Sequence, residues 1–77
     1  MQALIKLKLF ATLEKFNPEI SDTYPITSGA TVGELIDQLE IPRNQVKLIF
    51  INGVRGIFSS PLQEGDRVGI FPPVGGG

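Results

Sequence analysis

The chain has 77 residues, 42% of them hydrophobic and 19% charged, with 7 basic against 8 acidic side chains and a formal net charge of −1. A chain this short buries only about 60% of the surface its unfolded form exposes, which leaves room for one small core and no deep catalytic cavity. With neither Cys nor His, disulfide frameworks, zinc ribbons, cysteine-held clusters and every catalytic device built on a thiol or an imidazole are excluded.

The near-neutral balance, with Lys and Arg not clustered into a patch along the chain, predicts no nucleic-acid footprint. No stretch approaches the roughly 20 apolar residues of a bilayer span, and the N-terminus lacks the pattern of a signal peptide. A cytoplasmic protein with no membrane partner is the expectation.

The segment Leu4-Ile5-Lys6-Leu7-Lys8-Leu9-Phe10 alternates with period two, which predicts a strand with Ile5, Leu7 and Leu9 inward and Lys6, Lys8 and Phe10 on the outer face. Ala11 to Phe16 reads as a short turn or connection closed by Asn17-Pro18. Ser21 to Thr27 is the second strand, and Pro25, having no ladder donor, places it on an edge or at a bulge. Ser28-Gly29-Ala30 makes a turn. Thr31-Val32-Gly33-Glu34 is a capping box that opens a helix of about nine or ten residues, with Val32, Leu35, Ile36 and Leu39 on one stripe and Ile41-Pro42 as its stop.

Val46 to Ile51 is apolar throughout and suits an internal strand. Such a run does not choose a face, so Phe50 points outward only if Ile49 and Ile51 point in. Asn52-Gly53 is a hairpin turn signal, followed by a short returning strand over Val54 to Phe58. Ser59 to Asp66 reads as a polar loop with a Gly65-Asp66 turn, and Arg67 to Phe71 as the last strand, with Val68 and Ile70 inward and Phe71 outward. Pro72-Pro73 stops sheet pairing and launches Val74-Gly75-Gly76-Gly77. One helix across one face of a mixed sheet is the α+β arrangement this order allows.

The carboxylates fall in turns or on the helix, where solvated or capping duty accounts for them, and Ser59 and Ser60 have no base to activate them. The terminus is different. Glycines without Cβ can be threaded extended through a narrow channel, so Gly75 and Gly76 could deliver the Gly77 carboxylate into another protein's active site. Glycines alone equally describe a plain disordered end. The context favours delivery, because the arm leaves beside outward aromatic residues, Phe10, Phe71 and conditionally Phe50, which together would form a docking surface.

Leu9-Phe10-Ala11, Thr31-Val32-Gly33-Glu34-Leu35, Ile51-Asn52-Gly53, Leu62-Gln63-Glu64-Gly65-Asp66-Arg67-Val68 and the closing Phe71-Pro72-Pro73-Val74-Gly75-Gly76-Gly77 resemble the β-grasp, ubiquitin-like sulfur carriers of the MoaD/ThiS family. The resemblance spans essentially the whole chain, and Pro-Pro-Val before the glycines favours the molybdopterin synthase small-subunit branch over the thiamin one. It implies a single β-grasp domain over 1–77, with 72–77 as an exposed, flexible Gly tail. It implies a substrate protein rather than an enzyme: an adenylating enzyme of the MoeB/ThiF type uses ATP on the Gly77 carboxylate, a sulfur donor replaces AMP, and the thiocarboxylate serves a MoaE-like large subunit, in a heterotetramer, to build the molybdopterin dithiolene. No cofactor of its own is implied.

The same resemblance makes the outer sheet face and the tail the partner surface: Phe10 and Phe71 fall on family contact positions, Arg55, Pro72, Pro73 and Val74 belong to that surface, Phe50 joins it if it faces outward, and Gly75 and Gly76 are the threading residues. Two positions depart from the family pattern: Arg55 stands where an apolar residue is usual, and Gly75 where other small residues precede the final pair. A thiamin-pathway carrier is the near alternative, and a ubiquitin-like modifier forming isopeptide bonds through Gly77 is the alternative of another class.

Overall fold

The computed structural model describes residues 2–73. In chain order these form β1 (Gln2–Leu9), a 3₁₀ turn (Ala11–Phe16), β2 (Tyr24–Thr27), α1 (Val32–Gln38), a second 3₁₀ turn (Arg43–Gln45), β3 (Leu48–Ile51), β4 (Val54–Arg55) and β5 (Arg67–Phe71). The five strands make one sheet in the order β2-β1-β5-β3-β4. β1 and β5 pair in parallel, and every other pairing is antiparallel. This is the mixed β-grasp sheet with α1 across one face.

Alternation in β1 is complete, with Ala3, Ile5, Leu7 and Leu9 buried and the residues between them exposed. Those four side chains join Val68 and Ile70 of β5, Ile49 of β3 and Val32, Leu35 and Ile36 of α1 in a single core. Pro25 lies in β2, which pairs only with β1 and is the sheet edge its missing donor requires. The capping box forms as expected: the Glu34 amide donates to Thr31 Oγ1 at 3.2 Å, and the Thr31 amide donates to Glu34 Oε1 at 3.1 Å. Asn52 and Gly53 both take positive φ, 53° and 82°, as a two-residue hairpin turn demands.

Three expectations are corrected. The helix ends at Gln38 rather than near Ile41. A Schellman turn stops it: Glu40 takes φ 60°, its amide bonds the Asp37 carbonyl, and the Ile41 amide bonds the Ile36 carbonyl. The turn or connection expected over 11–16 takes the form of a 3₁₀ turn, and it inserts Leu13, which is fully buried. Among residues 59–66, read as polar loop, Leu62 is likewise fully buried, held by its amide's bond to the Ala30 carbonyl at 2.8 Å. Three strands are shorter than the expected segments: β2 starts at Tyr24, β3 at Leu48, and β4 stops at Arg55.

Candidate functional site

The face of the sheet turned away from α1 carries the expected contact residues. Register places them. Leu9 pairs with Ile70 across the parallel β1–β5 ladder, so the next residue of each strand, Phe10 and Phe71, emerges on the outer face side by side. Their rings stack with centroids 4.2 Å apart and planes 1° from parallel. The chain turns sharply just after Phe10, at Ala11 with φ 53°, and the Leu13 amide bonds the Phe10 carbonyl at 3.0 Å. Burial of Leu13 thus anchors the turn that sets the Phe10 ring.

Phe50 pairs with Gly69 and Leu48 with Phe71 across β3–β5. Phe50 is therefore on the outer face, diagonal to Phe71, and meets it edge-on with centroids 5.8 Å apart. The tertiary register settles the orientation that the uniformly apolar run left open. Gly69 explains how the rings lie down: a Cβ built there would sit 3.4 Å from Phe10 Cε2 and 3.9 Å from Phe71 Cε1. A glycine in a central strand weakens it by roughly 0.5–1 kcal/mol relative to alanine. Here it supplies the low floor over which the aromatic pair leans.

Arg55 stands opposite Phe50 across the β3–β4 hairpin, hence on the same face, and is exposed. Pro72 is half-buried and Pro73 exposed, directly beyond Phe71. The expected sites at Val74, Gly75, Gly76 and Gly77 lie outside the described residues.

The correction at the site concerns charge. Lys and Arg, scattered in sequence, are gathered by the fold: Lys6 pairs with Arg67 across β1–β5, Lys8 follows on the same face, and all three line a shallow depression of about 600 Å³ floored by Gly69 and the three Phe rings. The Lys8 ammonium lies 5.6 Å from the Phe10 ring centroid, within range of a cation–π attraction. Among the described residues Asp22 is the one carboxylate lining the depression. Alternation puts Lys6 with Lys8 on the outer face of β1 and Arg67 with Gly69 on that of β5; the parallel pairing that brings the two strands together had no signal in the sequence.

Among the described residues no group of three or more Asp, Glu, His or Cys is placed to hold a metal ion, and no helix is long and apolar enough to cross a membrane. The arrangement is suited to binding, with an aromatic centre and a cationic surround.

No curated protein matches the chain significantly in sequence. Among solved structures it is similar to the Haloferax volcanii HVO 2177 protein, with 28% identity, 99% of this chain and 88% of that one covered, and a TM-score of 0.76. It is also similar to small archaeal modifier protein 1 of Haloferax volcanii, at 26% identity over 94% of this chain and 99% of that one, with a TM-score of 0.67. A third similar structure is a Pyrococcus furiosus protein proposed as molybdopterin converting factor, subunit 1, at 27% identity over 94% of this chain and 99% of that one, with a TM-score of 0.65. The family model described as the ThiS family matches residues 7–77, from within β1 through the terminal glycines. The chain belongs to the ThiS family of ubiquitin-fold carrier proteins.

Proposed function

We propose that this protein is a sulfur carrier for molybdopterin synthesis. What supports the reading is the family match that runs through Gly77, together with an aromatic docking face at the point where the chain leaves β5. In this reading the Gly77 carboxylate attacks the α-phosphorus of ATP in an adenylating enzyme, pyrophosphate leaves, and a mixed anhydride forms. A sulfide-level donor then attacks the acyl carbon, AMP departs, and a thiocarboxylate remains. A large synthase subunit takes the tail and uses that sulfur for the dithiolene. The catalytic side chains belong to the partners, and Phe10, Phe50 and Phe71 contribute affinity, as buried aromatic anchors do at interfaces.

The likeness to small archaeal modifier protein 1 supports a second reading, in which Gly77 is joined to a target lysine through an isopeptide bond. Incubation with ATP, the adenylating enzyme and a sulfur source, followed by intact-mass measurement, separates the two. Exchange of one oxygen for sulfur identifies the carrier; adducts on other proteins identify the modifier; an unchanged mass with an enzyme active on its own substrate refutes both. Deleting Gly77 should abolish the mass change and leave the melting temperature in place, because the core of the described residues is already complete between Ala3 and Ile70.

A further inference from the structure

A net charge of −1 conceals a divided molecule. Four of its seven cations, Lys6, Lys8, Arg55 and Arg67, stand on the outer sheet face, while Glu34 and Asp37 lie on α1, which covers the opposite face. Among the described residues the ion pair present is Arg43–Asp37, so none of the four is neutralised by a described residue. Lys6 and Arg67 are direct cross-strand partners. Like charges in that position destabilise a sheet, and fold stability therefore gives no reason for them. The rings they surround are only half-buried.

We infer that the sheet face docks a partner protein whose contact patch is an apolar socket ringed by carboxylates, and that the ring of cations steers the encounter. Charge complementarity selects this occupant: the aromatic centre needs an apolar cover, and the three cations that line the depression beside Asp22, with Arg55 on the same face, need acidic neighbours. Rim charges act chiefly on the association rate and its salt dependence, whereas desolvated anchors hold the complex. Phe10, Phe50 and Phe71 set how long the partner stays, and Lys6, Lys8, Arg55 and Arg67 how often it arrives.

The inference takes the adenylating enzyme of the carrier reading as its probe, and the test reports the two separately. Association with that enzyme is followed by biolayer interferometry at ionic strengths of about 20 and 300 mM, a range over which screening shortens several-fold. The variants are K8Q/R67Q and, as a control of equal charge change away from the depression, K15Q/K47Q. ATP-dependent mass change and NMR shift mapping are recorded on the same samples. For the wild type we expect association to slow roughly tenfold or more across the salt range; K8Q/R67Q should be slow already at low salt, and the control should stay within about twofold of the wild type.

Salt-independent association, or equal behaviour of the two double variants, overturns the inference. Activation of the terminus without shifts on the sheet face overturns it while sparing the carrier reading. Salt-dependent binding on that face without activation supports it and refutes the carrier reading; neither binding nor activation refutes both. Binding of the wild type to phosphatidylserine vesicles or single-stranded DNA as tightly as to the enzyme would assign the face to a general polyanion instead.

Discussion

Phe71 sits where stability and recognition meet. It is half-buried on the outer face, stacked on Phe10 and edge-on to Phe50, so truncation removes two aromatic contacts and opens no cavity in the core. Such pairs contribute about 0.5–1.5 kcal/mol each beyond area, against 3–5 kcal/mol for Phe→Ala within a core. For Phe71→Ala we expect a stability loss of about 1–2 kcal/mol by urea unfolding, and a fall in partner affinity worth about 2 kcal/mol or more by calorimetry. A stability loss larger than the binding loss would move Phe71 into the core. Gly33 presents the opposite case. Its sequence context marks it only as part of a capping box, yet a Cβ there would lie 2.9 Å from Arg43 Nη2 and 3.2 Å from the Phe58 carbonyl oxygen. Arg43 can swing, although it is held by Asp37 and lies over the Phe58 ring at 5.1 Å. The carbonyl cannot, because the Gly33 amide itself bonds it at 2.8 Å. Alanine's helix advantage of about 1 kcal/mol is set against an overpacking cost of 1–3 kcal/mol. Gly33→Ala should therefore lower the urea midpoint, and a rise would show that the loop carrying Phe58 yields.

At the scale of elements, α1 has only seven residues, too few to persist alone in water. Its start is fixed by the reciprocal Thr31–Glu34 bonds, its docking by Val32, Leu35 and Ile36, and its end by the left-handed Glu40. Thr31→Ala removes the oxygen that receives the Glu34 amide and should cost about 1 kcal/mol. In a domain of this size that is a drop of about 4–8 °C in melting temperature, with the denaturant slope unchanged; a negligible drop would show that docking alone defines the helix start. The capping box, the Asn52-Gly53 hairpin and the β1 alternation were legible because each rests on neighbours in sequence. Helix termination was not, because the Schellman turn is made by a Glu in a conformation that glycine usually occupies, and no local pattern marks it. Leu13 and Leu62 were missed for a related reason: single apolar residues in polar segments have no periodicity, and only the closing of the core shows that both are needed to fill it.

Across the whole molecule no polar or charged side chain is buried among the described residues, and there is no His or Cys to titrate near neutrality. The Arg43 guanidinium, hydrogen-bonded to Asp37, holds that carboxyl below its ordinary range. A depressed carboxylate contributes stability above its unfolded pKa and loses it as pH falls through the folded one. The melting temperature should thus be level from about pH 6 to 9 and decline only in acid. Since both Asp37 and Arg43 are more than half exposed, Asp37→Asn should alter that acid decline only slightly; a midpoint change near neutral pH would point to a titrating group the fold does not display. An α+β order of elements, the inward and outward faces of β1 and β5 and the capping box were legible along the chain, since periodicity and turn chemistry are local, and the resemblance of its motifs added the β-grasp class and the family of the glycine terminus. It took the assembled sheet to turn Phe50 outward, to make Gly69 a floor beneath the aromatic pair, and to bring Lys6, Lys8, Arg55 and Arg67 onto one surface. Those are consequences of register between strands as many as 61 residues apart in the Lys6↔Arg67 pair, and register is set when side chains from every element fill one core together.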